Sequence, residues 1–124
     1  MILDLKKQFV EDLDNIYKTH LIYRTIVVCG DNLADYKELL ENKDFSVYVV
    51  KAVSNININI NYDTLDHRII LVNNEMVEDF LNSIIANDID NFYTYITFTF
   101  DNTSMKDTIV KKYHNVRNIV SSIL

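Results

Sequence analysis

The segment from Leu21 to Asn32, LIYRTIVVCGDN, decides the fold: an unbroken apolar run ends at a glycine and passes into two residues of the Asx type. Leu21 to Cys29 reads as a largely buried strand, and Gly30 ends it. Asp31 or Asn32 can then cap a short helix, LADYKELLEN, whose Leu33, Tyr36, Leu39 and Leu40 face one way. A buried strand followed at once by a helix is the unit from which parallel sheets are built.

The same unit recurs downstream. Arg68 to Val72, RIILV, is followed by Asn73 or Asn74 as a cap and by a helix with Val77, Phe80, Leu81, Ile84 and Ile85 on one stripe. Phe92 to Phe100, FYTYITFTF, is a strand with Phe92, Thr94, Ile96, Phe98 and Phe100 on one face. Asp101 to Ser104 open a last helix striped by Ile109, Tyr113, Val116, Val120 and Ile123, with Ser104 and Asp107 at capping-box spacing. Upstream, Asp4 to His20 carries Leu5, Phe9, Leu13, Ile16 and His20 at helical spacing.

Between the strand units lie Phe45 to Val53, FSVYVVKAV, which is β-branched and aromatic, and Ser54 to Asp63, SNINININYD. The second stretch alternates isoleucine and asparagine with period two, so Ile56, Ile58 and Ile60 fall on one face and Asn57, Asn59 and Asn61 on the other. It is expected as a hairpin partner of the first. The fold class is therefore α/β: residues 1–124 as one domain, a sandwich of about four helices on a mixed five-stranded sheet in the order α-β-α-β-β-β-α-β-α.

Composition sets the surroundings. The 124 residues include 48% hydrophobic and 24% charged side chains, an ordinary globular balance. The net charge of -6 disfavours nucleic acid, whose affinity for proteins comes from lysine and arginine on phosphates, and it repels anionic membranes. Apolar runs are far below the ~20 residues that span a bilayer, and the acids of MILDLKKQFVEDLD interrupt what a signal peptide would need. One cysteine, Cys29, agrees with a reducing compartment, and the expected location is the cytoplasm. The absence of proline and tryptophan, with heavy use of Asn, Ile, Lys and Tyr, points to a compact A+T-rich genome such as that of a virus, phage, plasmid or low-GC bacterium.

Three strand-to-helix turns carry most of the candidate ligand groups: Asp31 and Asn32; Asn73, Asn74 and Glu75; and Asp101, Asn102, Thr103 and Ser104. If their strands are parallel, all three emerge at the carboxyl edge of the sheet, where open α/β folds place ligands. Asp31, Glu75 and Asp101 could then share Mg²⁺, a cation that prefers oxygen ligands. These residue types are also the best helix caps, and as caps they need no ligand. With one glycine, the chain has no glycine-rich phosphate cradle.

VVCGDNL resembles in outline the strand and loop of phosphotransferase-system IIB domains and of cysteine phosphatases. It departs from both, with Asp35 where a phosphatase has arginine and with Asp31 and Asn32 where IIB loops have small and hydroxyl residues. Cys29 is expected to be buried and structural. Residues 25–107 resemble the first lobe of superfamily 2 helicases, with TIVVCGDNL as the strand and loop after the ATP-binding motif and FTFDN as the acidic strand. No GKT precedes Thr25, and Asp101-Asn102 stands for Asp-Glu, so the resemblance implies a lobe without ATPase chemistry.

His20, His67 and His114 are scattered without companion cysteines, and no nucleophile-base pairing is evident. Lys106, Lys111, Lys112 and Arg117 put a basic face on the last helix, a solvated surface or an acidic or nucleic-acid contact. Lys51 is the one lysine between Asp44 and Asp63, which leaves Ile56, Asn57, Ile58, Asn59 and Ile60 as an uncharged strand suited to pairing with another chain.

On these grounds the sequence favours a non-catalytic interaction protein, an accessory of a compact genome that self-associates or binds a protein partner, with no cofactor. A small-ligand or nucleotide-binding domain using the Asx turns, with Mg²⁺ as a possible cofactor, is the alternative. A nucleic-acid accessory of helicase-lobe type is the third.

Overall fold

The computed structural model describes residues 2–19, 25–43, 45–50, 68–86 and 94–116. Its elements are α1 (Ile2–Thr19), β1 (Thr25–Gly30), α2 (Ala34–Glu41), β2 (Ser46–Val50), β3 (Arg68–Asn73), a 3-10 turn (Asn74–Met76) running into α3 (Val77–Ala86), β4 (Thr94–Phe98) and α4 (Thr103–Lys112). The strands form one sheet in the order β2-β3-β1-β4. Every pairing in it is parallel.

The α/β class and the helices agree with the sequence, and the sheet among the described residues is four-stranded and parallel in place of the expected mixed five-stranded one. The described strands number four and all run the same way, and β2 pairs directly with β3 from Ser46↔Arg68 to Val50↔Val72. The expected hairpin strand, with Ile56 to Ile60, lies outside the described residues.

Alternation along the buried strands builds two cores. Ile26 and Val28 of β1, with Ile69 and Leu71 of β3, point to the face covered by α1 and α2. Val27 and Cys29, with Ile70 and Val72, point to the face covered by α3 and α4. The result is a three-layer sandwich, and period-two alternation has to be apolar on both faces because helices cover both. The step from β1 to β2 goes one way across the sheet under α2, and the step from β3 to β4 goes the other way under α3 on the opposite face. Those two crossovers therefore share one hand, as parallel connections require.

Helix α1 corrects its expected stripe. Val10, Leu13 and Tyr17 are the buried residues, with Phe9 and Ile16 partly buried, whereas Leu5 is 53% exposed. Length explains this: an 18-residue helix is about 27 Å long, and a 6-residue strand about 20 Å. Tyr17 anchors the last turn by donating its hydroxyl to the Arg68 carbonyl (2.5 Å) where β3 begins, so the first turns of α1 overhang the carboxyl edge of the sheet. His20 lies outside the described residues.

Strand β4 ends earlier than expected. Ile96 and Phe98 do share the α3/α4 core, but the chain turns after Phe98, and Phe100 is left 39% exposed. In α3 Val77, Phe80 and Leu81 are buried as the stripe predicts, and in α4 so is Ile109, with Tyr113 just after the helix. Phe92, Val120, Ile123 and the side chains of Ile84, Ile85 and Thr94 lie outside the described residues.

Burial pushes the Cys29 thiol up to about 12 and the Tyr17 phenol above its ordinary range, and burial with the charges of Asp101 and Asp35 pushes the Tyr36 phenol to about 12. All three keep their protons in the folded state beyond the pH at which the unfolded chain loses them, near 9 for the thiol and 10 for the phenols. Above that pH the folded state binds more protons, so stability falls as pH rises. We expect unfolding free energy from urea titration to fall above about pH 9 and more steeply above about pH 10, with the first part of the fall absent in Cys29→Ala. Rapid labelling of the native thiol at neutral pH would contradict the burial of Cys29.

Candidate functional site at the carboxyl edge

Strand β1 is central, flanked by β3 and β4. From its carboxyl end the chain leaves toward the α1/α2 face, while from β3 and β4 it leaves toward the α3/α4 face. Adjacent loops diverging in this way open a crevice, the position at which open α/β sheets take ligands. The three Asx turns meet there.

Their meeting point is an amide pair. Asn74 Nδ2 donates to Asn102 Oδ1 (3.0 Å), and Asn102 Nδ2 donates back to Asn74 Oδ1 (2.9 Å). The second Asn102 hydrogen goes to the Cys29 carbonyl at the end of β1 (3.1 Å), and the second Asn74 hydrogen goes to Asp31 Oδ2 (3.1 Å). Every amide hydrogen of both side chains is thus used, and the turns after β1, β3 and β4 are tied together. Cys29 O also accepts the Thr99 N–H (3.0 Å), which fills both of its lone pairs.

Capping does not account for these residues. The N-cap of α2 is Leu33, that of the 3-10 turn is Asn73, and that of α4 is Asn102, and none of the three makes a side-chain cap hydrogen bond. Asn102 holds the cap position with its amide spent across the sheet edge. Ser104 falls inside α4 rather than at its cap, so the expected capping box with Asp107 does not form; its carbonyl accepts from the Thr108 hydroxyl (2.9 Å). Asn32 takes a left-handed conformation, φ 52°, which asparagine tolerates better than most residues.

Gly30 is dictated by a close approach. A Cβ there would lie 2.6 Å from Thr99 Oγ1 and 2.8 Å from its Cγ2. Thr99 is buried, and its hydroxyl donates to Asp101 Oδ1 (3.0 Å), so it has little freedom to yield.

Beside this junction is a cleft of about 280 Å³. Asp31, Asn32, Asp101 and Asn102 supply its polar side, and Ile2 and Lys6 of α1 with Tyr36 of α2 supply the rest. Lys6 Nζ is 2.8 Å from Asp35 Oδ2 and lies 5.4 Å from the centre of the Tyr36 ring. With that lysine already matched by Asp35, Asp31 and Asp101 leave the cleft negative.

Asn73, Asn74, Glu75, Thr103 and Ser104 are not among the cleft residues. The three-carboxylate arrangement of Asp31, Glu75 and Asp101 does not form: among the described residues no group of three His, Cys, Asp or Glu side chains comes close enough to hold a metal. On α4, Lys112 pairs with Glu78 of α3 (2.9 Å), Lys106 is half-buried, Lys111 is exposed, and His114 Nδ1 donates to the Lys111 carbonyl (2.7 Å). Arg117, His67 and Ile56 to Ile60 lie outside the described residues. Lys6 and Tyr36 carry no signal in the sequence, because each sits on a helix whose spacing marks it only as surface or as core.

Comparison with known proteins finds no family model, no curated protein and no solved structure that matches the chain. No helix among the described residues is long and apolar enough to cross a membrane.

Substitutions at two positions test the junction. Gly30→Ala should lower unfolding free energy by about 1–3 kcal/mol, the usual cost of overpacking against a group that cannot move. Asn102→Ala should cost about 1–3 kcal/mol, and Asn102→Asp should cost more, since a carboxylate cannot donate to the Cys29 carbonyl and adds charge beside Asp31 and Asp101. Urea titration measures both, and the reverse order at Asn102 would show that its amide hydrogens do not supply the stability.

Proposed function

We propose that the chain is a small-molecule-binding α/β domain whose ligand occupies the cleft at the carboxyl edge of β1 and β4. One observation supports this above the others: three polar turns converge at the place where the chain diverges to opposite faces, and their side chains are not consumed in capping. Carboxylates, amides, a phenol and an ammonium line the cleft, groups that hold a ligand by hydrogen bonds. Mg²⁺ entering here would meet at most two carboxylates and keep most of its water.

Assembly is the second reading. The tract that favours it in the sequence lies outside the described residues, but β4, TYITF, is uncharged and pairs only with β1 among them. Such an edge accepts another strand unless something covers it. Light scattering at tens of micromolar decides this reading: a dimer or larger species supports it, and a monomer removes self-assembly.

For the ligand, thermal unfolding is measured with MgCl₂, Mg-ATP, adenosine, ribose, glucose, inorganic phosphate and spermidine. A ligand of the native state at 100 times its Kd adds about 2.7 kcal/mol. We expect at least one probe to raise Tm in the parent. The double variant Asp31→Asn, Asp101→Asn should lose that shift while keeping the unliganded Tm within a few degrees. No shift with any probe, or one that survives in the double variant, overturns the cleft as the site.

A further inference from the structure

The Tyr36 hydroxyl is buried and finds no hydrogen-bond partner among the described residues, although its residue lines the cleft. Tyr36 as a whole is 2% exposed, its ring packed edge-on against Phe9 with centroids 5.5 Å apart. A sequestered hydroxyl without a partner is destabilising. Nothing in the packing requires it, because phenylalanine would fill the same space.

Hydrogen-bonding capacity in the cleft narrows what would satisfy it. Asp31 Oδ2 accepts from Asn74 and Asp101 Oδ1 from Thr99, so among the described residues one oxygen of each carboxylate has no side-chain donor. Those oxygens can only accept. The Tyr36 phenol keeps its proton, so it can donate. A complementary ligand therefore presents donors to the two carboxylates and an acceptor to the phenol. Phosphate is mostly an acceptor and is repelled by both carboxylates; an ammonium offers donors only; a metal ion offers neither. A hydroxyl group is donor and acceptor at one atom.

We propose that the cleft binds a small uncharged polyhydroxylated molecule, a free sugar or the ribose of a nucleoside, with its hydroxyls donating to Asp31 and Asp101 and accepting from Tyr36. This rests on the cleft being the ligand site. Lys6, a flexible side chain over the Tyr36 ring, is the group that yields to admit the ligand.

The test uses calorimetric titration of the full chain with ribose, glucose, adenosine and 2′,3′-dideoxyadenosine, against inorganic phosphate, spermidine and MgCl₂. Binding of ribose or glucose is expected for a sugar site; binding of adenosine but not its dideoxy analogue is expected for a nucleoside site. Tyr36→Phe should weaken the bound probe about tenfold, the value of one hydrogen bond, and leave the unliganded Tm unchanged or higher. Asp101→Asn is the second variant and should also weaken it. Binding of phosphate, spermidine or Mg²⁺ with no hydroxylated probe overturns this inference and leaves the cleft as a ligand site. Binding of no probe overturns both. Hydroxylated probes bound equally by Tyr36→Phe, or a fall in unliganded Tm in that variant, remove Tyr36 from recognition.

Discussion

The side-chain amide of Asn102 is the constraint on which the carboxyl edge depends. Parallel strands are joined within the sheet by backbone hydrogen bonds, but beyond the last paired residue nothing in the ladder holds the departing chains together. Asn102 supplies the missing link by donating to the carbonyl of Cys29, next to last in β1, and exchanging hydrogen bonds with Asn74 beyond β3. It is buried, so a half-satisfied amide would be costly, and full use of its hydrogens makes the position specific for asparagine. Asp31 is then held through Asn74, and Asp101 is held separately by Thr99. The two carboxylates of the cleft are thus set by a rigid support rather than by loop chance.

Much of the fold can be read from the residues because burial on both sheet faces leaves a plain mark. Strand β1 is apolar at consecutive positions, and so is β3, which is how a strand covered twice must look. Gly30 marks the end of β1 correctly, but its reason, the approach of Thr99 from β4, is a contact between residues 69 apart and has no local signature. Leu5 shows the opposite failure. Its spacing is that of a core residue, but helix α1 is longer than the strands beneath it, and periodicity does not reveal where a covering layer stops.

The site was legible only as three turns that would converge if the strands were parallel. Composition could not separate a cap from a junction, since Asp and Asn suit both. What separates them is where the amide hydrogens go: at Asn102 they go to Cys29 and Asn74, and α4 begins without them. Tyr36 was hidden for a related reason. Its ring belongs to the α1/α2 core and gives the helical spacing, and nothing in that spacing shows that the residue also lines the cleft.

The same division explains how the molecule can hold a negative cleft without endangering its fold. Both cores lie over the body of the sheet, filled by residues such as Leu40, Ile69 and Leu71 on one face and Leu81, Ile96 and Ile109 on the other, and each such side chain contributes about 1.5–3 kcal/mol by burial. Asp31 and Asp101 are exposed, so water screens their repulsion, and what they cost is small beside what the cores supply. The overhang of α1 belongs to this arrangement: it brings Lys6 and Ile2 over the edge at the expense of leaving Ile2, Leu3 and Leu5 in solvent. A helix trimmed to the length of the sheet would bury its apolar residues better and would leave the cleft without a wall.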